Sequence, residues 1–251
     1  AALFGKSMAK KWHHRVYIGL YAGAGRAALK DTGEIVETSA LGVIRQEAPF
    51  TKYIFVDADP KCLGALEERI EAVPGEFDVS FIRETVNDSV AQVEAAIPRF
   101  DPAAGEGLLA LCFVDPFRAD LDFSVIQRIS RYRVDFLVML PLGFDLRRNL
   151  RRYLDNAEDD RVAALIDCPG WREEWKRYGK SDRHFVRFVL EKFDEAMEPA
   201  GISAAGDEGY SVHQSHRHGI ISVLSGTVYA ARARRAVLAV DRRRYSSATW
   251  V

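Results

Sequence analysis

Two features of the sequence have the residue types and spacing of a nucleoside-binding site. Gly23-Ala24-Gly25 follows an apolar, β-rich segment, and Asp57 ends the next segment of that kind. Glycine lets a backbone turn tightly and pass close to a ligand, while a carboxylate at a strand end can accept hydrogen bonds from ribose hydroxyls. We therefore predict that Gly23, Gly25 and Asp57 bind a nucleoside cofactor. The structural alternative is an ordinary tight turn.

The residues around the glycines indicate which types of nucleotide or nucleoside cofactor are compatible with the turn. Ala28 takes the third position of a dinucleotide GxGxxG fingerprint, where alanine is tolerated, so NAD is compatible with the turn. No other motif offers hydride chemistry, and no Gly-Lys-Ser/Thr follows the glycines, which argues against a P-loop at this turn. Asn87-Asp88 follows the third apolar segment. We expect Asn87 to approach an adenine ring there, or else to cap the next helix.

Asp115-Pro116-Phe117 follows the fourth apolar segment and offers the groups that methyl transfer to an exocyclic amine needs. The Asp115 carboxylate and the Pro116 carbonyl can hold the N–H groups of the attacking nitrogen, and the Phe117 ring can stack on the base. These three residues are the candidate catalytic residues. In the alternative interpretation, Asp115 caps the next helix and Phe117 packs in the core.

Arginines are concentrated in two parts of the chain. The segment DLRRNLRRYL (145–154) contains Arg147, Arg148, Arg151 and Arg152, at spacings that line one side of a helix. From residue 201 onward there are seven more, at positions 217, 232, 234, 235, 242, 243 and 244. Such a surface suits the phosphates of a nucleic acid, or an acidic protein partner. Otherwise the side chains of 145–154 are solvated and paired with nearby carboxylates. The candidates for that pairing are Glu158, Asp159, Glu173 and Glu174.

Other chemistries find less support. His213, His216 and His218 are clustered, but no cysteine or carboxylate pattern completes a site around them, so we predict no metal. The three cysteines, at positions 62, 112 and 168, are odd in number and widely spaced. This pattern favours reduced thiols and a cytoplasmic protein.

The elements that must position these residues alternate along the first 140 residues. Apolar segments typical of strands are Val16–Tyr21, Tyr53–Asp57, Val79–Ile82, Leu108–Val114 and Val134–Leu140. Helical patterns between them cover Cys62–Val73, Ser89–Ile97 and Phe123–Tyr132. This alternation predicts an α/β protein with a Rossmann-like, mostly parallel sheet and helices on both faces.

The remaining sequence suggests three regions. Residues 1–144 form the predicted Rossmann-like core. Residues 145–200 are helical, rich in Arg and Glu, and form a predicted insert or cap after the fifth strand. Residues 201–251 are predicted to return to the core with a strand at Gly219–Leu224 and a helix at Val228–Val240.

Composition agrees with one globular α/β protein of 251 residues, 48% of them hydrophobic and 28% charged. The formal net charge of −1 argues against a global field that would attract nucleic acid or an anionic membrane. No apolar run approaches the length of a membrane span, so no membrane association is predicted.

The order of several short motifs resembles the three-Cys-motif partner family, called TcmP. The motifs are KWHHRVYIGLYAGAGR (11–26), TGEI (32–35), YIFVDADP (53–60), CFVDPF (112–117), VDFLVML (134–140) with a following D..RN, and WREEW (171–175). The resemblance covers most of the chain. It implies a sheet like that of class I methyltransferases, S-adenosylmethionine as the cofactor, and a three-cysteine partner similar to radical S-adenosylmethionine enzymes.

One position departs from the family pattern. The family usually has an aspartate in the first-strand motif, as in YIDLYAG, and this chain has Gly19 there. In the family that carboxylate would face the methionine end of the cofactor. Two functions are therefore expected. The first is S-adenosylmethionine-dependent methyl transfer to a nucleobase or nucleic acid, which the motif at Asp115 favours. The second is a non-catalytic accessory or recognition subunit, which Gly19 favours.

Overall fold

A seven-stranded sheet forms the centre of the molecule in the computed structural model, which describes residues 12–29, 31–179, 181–200, 203–204, 226–230 and 248–250. Its strands lie in the order β5-β4-β1-β6-β7-β9-β8, where the first five are parallel and β9 is antiparallel to both neighbours. These strands are β1 (His14–Leu20), β4 (Lys52–Val56), β5 (Val79–Ile82), β6 (Leu108–Val114), β7 (Val134–Met139), β8 (Ser203–Ala204) and β9 (Gly226–Ala230). The five parallel strands follow the 3-2-1-4-5 order of a Rossmann sheet. The predicted fold class is confirmed.

A smaller antiparallel sheet has the order β10-β2-β3, and its strands β2 and β3 lie between the first two parallel strands in the chain. It contains β2 (Arg26–Leu29), β3 (Ile35–Glu37) and β10 (Ala248–Trp250). The crossover from β1 to β4 therefore consists of a hairpin followed by the short helix α1 (Ser39–Ile44), a segment to which the sequence pattern assigned no helix or strand.

Helices cover both faces of the main sheet, because side chains alternate between the faces along each strand. On one face, Tyr17, Tyr53 and Phe55 pack with α1 and with α2 (Pro60–Glu71). On the other face, Ile18 and Leu20 pack among the remaining helices. Those helices are α3 (Val90–Ala96), α4 (Phe123–Ile129), α5 (Leu150–Asp155), α6 (Arg161–Leu165), α7 (Trp171–Tyr178) and α8 (Phe185–Met197).

The start of α2 shows how local sequence determines an element here. Pro60 occupies its first turn, where the missing N–H is not needed. The Asp59 carboxylate accepts a hydrogen bond from the Lys61 backbone N–H at 2.8 Å and caps the helix. The helix therefore begins two residues before the predicted start at Cys62, and it directs Leu63 and Leu66 into the core.

Two sequence-based predictions, for residues 145–154 and for residues 228–230, are wrong. Residues 145–154 do not form one helix: a π-helical segment covers Leu142–Leu146, a turn follows, and α5 begins at Leu150. Residues 228–230, predicted to start the last helix, belong instead to strand β9. The predicted strand at Gly219–Leu224, the three clustered histidines and the arginines from residue 217 onward lie outside the described residues.

Candidate functional site

The carboxyl ends of the parallel strands bring several predicted site residues to one edge of the sheet. Leu20, the last residue of β1, lies opposite both Val56 and Val114 in the sheet register. Asp57 and Asp115 directly follow those two residues and therefore emerge on either side of the β1 end. In open α/β sheets this edge is where ligands bind.

Asp57 and Gly23 are in direct contact at this edge. The Gly23 backbone N–H donates to Asp57 Oδ2 at 2.7 Å, and the Asp59 N–H donates to Asp57 Oδ1 at 2.9 Å. A carboxylate has about four lone-pair sites, so each oxygen keeps one further acceptor position. The carboxylate thus fixes the glycine turn and can still accept two hydroxyl groups.

The glycine turn requires glycine at Gly25 for two separate reasons. Its φ of +79° lies in the left-handed region, and an added Cβ would lie 2.7 Å from Leu66 Cδ1 on helix α2. The turn is also fixed from α2 by Arg69, whose guanidinium donates to the Ala24 carbonyl at 2.6 Å. Gly23 shares the left-handed conformation, with a φ of +64°.

The chain leaves this turn as strand β2 rather than as a helix. A dinucleotide fingerprint binds its pyrophosphate at the N-terminus of the helix that follows the glycines. Because Arg26–Leu29 form a strand, this turn lacks that anion-binding element. Its geometry therefore suits a nucleoside without phosphates better than NAD.

In the Asp115-Pro116-Phe117 segment, Asp115 does not cap the next helix and Phe117 does not pack in the core, as the alternative interpretation had it. Phe117 is 75% exposed and does not pack in the core. Helix α4 is capped by Asp122, whose carboxylate accepts from the Ser124 N–H at 2.8 Å, and not by Asp115. Pro116 is buried, and Asp115 is exposed at the strand end. An exposed aromatic ring beside a carboxylate is an arrangement that can bind a flat, amine-bearing molecule.

Asn87 connects two loops at the same edge. Its Nδ2 donates to the Asp120 carbonyl at 2.9 Å, and its Oδ1 accepts from the Asp122 N–H at 2.9 Å. These bonds hold the loop after β6 against the loop after β5. Asn87 does not cap α3, whose N-cap position is Ser89. The predicted contact with adenine stays a prediction, and it would use the second donor and second acceptor position of the amide.

Asp145 holds the other side of the loop after β6, a role that sequence reasoning missed. Its side chain is buried, with 6% exposure, and Oδ2 accepts from the Ala119 N–H at 2.6 Å. Oδ1 accepts from Asn149 Nδ2 at 2.6 Å and from the Tyr153 hydroxyl at 2.8 Å. A buried carboxylate is stable when its oxygens are satisfied in this way. The loop that displays Phe117 is thus braced from two sides.

The space beside Gly19 is filled by aromatic rings. An added Cβ would lie 3.1 Å from Phe55 Cδ1 and 3.2 Å from Tyr17 Cε1. The position faces the side of the sheet that packs against α1 and α2, because Tyr17 and Gly19 share that face. The rings therefore occupy the region into which the aspartate of the TcmP pattern would project.

An open cleft of about 500 Å³ lies between the two strand-end loops and the helices after β7. Of the predicted site residues, Asn87 lines it. The other lining residues are Ala119, Asp120, Leu121, Asp122, Asn156, Glu158, Asp159, Asp160, Arg161 and Ala164. No local pattern in the sequence indicates this cleft, because its walls come from segments about 30 to 70 residues apart in the chain.

The four candidate arginines are exposed but do not share one helix. Arg147 and Arg148 lie in the turn before α5, whereas Arg151 and Arg152 lie on α5. Arg151 pairs with Asp182 at 2.8 Å. Of the carboxylates expected to neutralise this group, Asp159 pairs with Arg161 and Glu174 with Lys192.

Other site classes find no basis in the described residues. Within them, no group of three or more His, Cys, Asp or Glu side chains has an arrangement that could hold a metal ion. The three cysteines are free thiols, with Cys112 buried and the other two partly exposed. In the same part of the chain, no helix combines the length and apolarity that crossing a bilayer requires.

Comparison with known proteins gives little further information. No family model matches the sequence, and no curated protein does. Among solved structures, the chain is similar to one described as StiE O-MT, residues 942–1257, with 10% sequence identity and a TM-score of 0.25. The similarity covers 74% of this chain and 62% of that one. A likeness this weak carries no argument about activity, and the resemblance to TcmP stays a prediction.

Proposed function

We propose that this protein is an S-adenosylmethionine-dependent methyltransferase that acts on the exocyclic amine of a nucleobase. The contact between Asp57 and Gly23 at the edge of a Rossmann-like sheet carries the proposal. The glycine turn continues into a strand, which supports a nucleoside cofactor without phosphates. The sheet order also agrees with the class I methyltransferase-like sheet that the sequence resemblance implies.

The residues present fit this cofactor at its nucleoside end. Asp57 keeps one acceptor position on each oxygen for the two ribose hydroxyls. Gly23 and Gly25 shape the turn that passes beneath the ligand, and Asn87 lies at the neighbouring strand end. When bound, S-adenosylmethionine supplies a methyl group on a sulfonium, which a nitrogen lone pair can attack in line.

The acceptor would lie at the end of β6. Asp115 and the Pro116 carbonyl accept the N–H groups of the amine and orient its lone pair, while Phe117 stacks on the base. This role for Phe117 explains why a large apolar ring is left 75% exposed. Catalysis would come mainly from positioning the two reactants and excluding water.

Two partners belong to the same proposal. Arg147, Arg148, Arg151 and Arg152 would contact nucleic acid, or an acidic surface of a protein. The protein partner would be the three-cysteine, radical S-adenosylmethionine-like protein that the TcmP resemblance implies. The exposure of all four arginines is compatible with such a surface.

Calorimetric titration with S-adenosylmethionine, and with NAD as the control ligand, tests the cofactor. Asp57→Ala should weaken S-adenosylmethionine binding by about 2–4 kcal/mol, because two charge-assisted hydrogen bonds are removed. That range corresponds to roughly 30- to 700-fold in Kd. Asp59→Ala is the matched control: it removes the α2 cap two residues away and should leave binding unchanged. Equal binding of NAD, or equal effects of the two variants, would contradict the proposal.

A second function is favoured by Gly19. If the rings of Tyr17 and Phe55 exclude the methionine end of the cofactor, the fold would serve as a non-catalytic accessory or recognition subunit. Failure of the full-length protein to bind S-adenosylmethionine, together with retained capture of the three-cysteine partner in a pull-down, would support this function over catalysis.

A further inference from the structure

Tyr21 has an unusual backbone for its residue type. It follows β1 with a φ of +61°, in the left-handed region that non-glycine residues seldom adopt. The consequence is a change of face. Leu20 packs in the cluster on the α4 side of the sheet, and the next side chain should point to the opposite face, yet Tyr21 packs against the same cluster. Such strain at a strand end is typical of functional sites.

The hydroxyl of Tyr21 is buried, and none of the described residues forms a regular hydrogen bond with it. It does interact with the Asp120 carboxylate, through a side-chain hydrogen bond of irregular geometry and through charge, and both raise the pKa of the hydroxyl. Native structures usually pair a buried donor or use it. The strained turn thus aims the Tyr21 hydroxyl at Asp120.

Asp120 is held in place by the braces on its loop. Asn87 holds the Asp120 carbonyl and the Asp122 N–H, and Asp145 holds the Ala119 N–H. Two other chain segments therefore fix the loop on both sides of Asp120. Partial burial raises the pKa of its carboxyl above the ordinary value, and the nearby Asp145 charge acts in the same direction, while Tyr21 and Arg118 lower it. A carboxylate with a raised pKa is a stronger base than an aspartate with the ordinary pKa.

The cleft in front of Asp120 is strongly acidic. Its lining includes five carboxylates, Asp120, Asp122, Glu158, Asp159 and Asp160, and one guanidinium, Arg161. Arg161 is committed to Asp159 through both ends of its guanidinium. The other four carboxylates leave the cleft negative. Carboxylates accept hydrogen bonds from exocyclic amines such as the N4 group of cytosine, and they repel phosphate.

We propose that Tyr21 and Asp120 form a proton-accepting pair for an amine-bearing nucleoside or free base that enters through this acidic cleft. The inference rests on the proposed function, but it places the amine at Asp120 instead of Asp115 and restricts the substrate to a molecule without phosphate groups. The four arginines would then contact the protein partner and not nucleic acid. Asp120 is the catalytic base, because it lines the cleft. Tyr21 is a positioning residue that acts through Asp120.

The reaction balances without a further reactant beyond S-adenosylmethionine. The amine nitrogen donates its lone pair to the methyl carbon, a new N–C bond forms, and the C–S bond breaks with its electron pair remaining on sulfur. The nitrogen then carries a positive charge and loses one proton to an Asp120 oxygen. The Tyr21 hydroxyl donates to the other side of that carboxylate and keeps it oriented.

Direct binding of small probes tests the cleft without any cofactor. Cytidine carries an exocyclic amine, uridine carries a carbonyl in its place, and neither contains the adenosine of the proposed cofactor. We expect cytidine to bind the full chain more tightly than uridine, by about tenfold or more, because a site built to accept an N–H rejects an analogue that lacks it. Cytidine 5′-monophosphate should bind more weakly than cytidine. Equal binding of cytidine and uridine, or no binding of cytidine, would overturn the inference.

Variants separate this site from the cofactor site. Asp120→Asn should weaken cytidine binding about tenfold, whereas Asp155→Asn, an exposed aspartate outside the cleft, should not change it. If S-adenosylmethionine does not bind but the two variants affect cytidine binding as expected, the proposed function is wrong and the assignment of the cleft as a nucleoside site still stands. If S-adenosylmethionine binds but Asp120→Asn equals wild type, the inference fails alone.

The pairing of Tyr21 with Asp120 has its own readout. Carboxyl NMR should show a higher pKa for Asp120 in Tyr21→Phe than in wild type, because the hydroxyl stabilises the carboxylate. Tyr132→Phe is the control, since Tyr132 packs against the same core cluster elsewhere. An unchanged titration of Asp120 would overturn the pair. If Tyr21→Phe does not fold, the comparison of Asp120→Asn with Asp155→Asn decides.

Discussion

Replacing Gly25 with alanine is the sharpest test of how the fold builds the glycine turn. Two costs act together at this position. A non-glycine residue in the left-handed region costs about 1–2 kcal/mol. The new Cβ would also lie 2.7 Å from Leu66 Cδ1, so Leu66 or the turn must shift, which costs about 1–3 kcal/mol in a well-packed core. We therefore expect Gly25→Ala to lower the free energy of unfolding by roughly 2–5 kcal/mol.

The steric share of that cost can be isolated with Leu66→Ala. Leu66 is fully buried, so its truncation alone should cost about 2–5 kcal/mol. It also removes the atom that the new methyl group would meet. The double variant should consequently be less destabilised than the sum of the single variants, by the steric share of about 1–3 kcal/mol. The cost of the left-handed backbone should persist in the double variant.

Gly64→Ala is the matched control, because Gly64 lies on the same helix α2, in its interior. Apart from the adjacent residues and the local backbone of the helix, no described atom lies within 4 Å of a Cβ added there. The substitution should stabilise the protein by about 0.5–1 kcal/mol through helix propensity. Urea unfolding followed by circular dichroism gives all four values. A Gly25→Ala change below about 0.5 kcal/mol, or strict additivity with Leu66→Ala, would refute the reasoning.

Three further predictions concern charge and packing elsewhere. Gly19→Asp should destabilise the protein and should not improve cofactor binding, since the rings of Tyr17 and Phe55 already fill the space beside Gly19. Tighter S-adenosylmethionine binding by a folded variant in calorimetry would contradict this prediction. Replacing Arg148 and Arg152 together should reduce the slope of log affinity against log salt concentration for duplex DNA, as measured by filter binding. The expected reduction is about 0.9 for each phosphate that is no longer neutralised. A double variant with the same slope as wild type would mean that these side chains are only solvated. Burial and the neighbouring Asp59 raise the pKa of Cys62 to about 11. Asp59→Asn should therefore lower that pKa and speed alkylation of the Cys62 thiol at pH 8. An unchanged alkylation rate would show that burial alone protects the thiol.

Most of the parallel sheet could be predicted because its signals are local. The run Leu108–Val114 is continuously apolar, as a strand covered on both faces should be, and it forms β6 at those bounds. Pro60 and Asp59 mark the start of α2 within a few residues. The strand ends follow from these bounds, and the parallel register then brings Gly23, Asp57 and Asp115 to one edge.

The elements that were not predicted lack such local signals. The strands β2 and β3 are four and three residues long, too short for their alternation to be distinguished from a loop. Residues 228–230 are equally compatible with the start of a helix, because short apolar runs do not distinguish the two structures. Pairing with β7 decides in favour of a strand.

The hydrogen bonds that position the candidate site join residues that are far apart in the chain. Sequence patterns therefore identified the motifs of the site but not the residues that hold them in place. Asp145 follows a predicted strand and begins a run rich in arginine, so its sequence surroundings suggest a solvated residue. Its actual role comes from the N–H of Ala119, 26 residues earlier, which no periodicity indicates. Tyr21 is a stronger case, because only its left-handed backbone directs it to the face where Asp120 lies. With the usual alternation, the Tyr21 ring would join Tyr17 on the opposite face. The strand ends would then form a turn for a cofactor, but the proton-accepting pair of Tyr21 and Asp120 would not lie beside it.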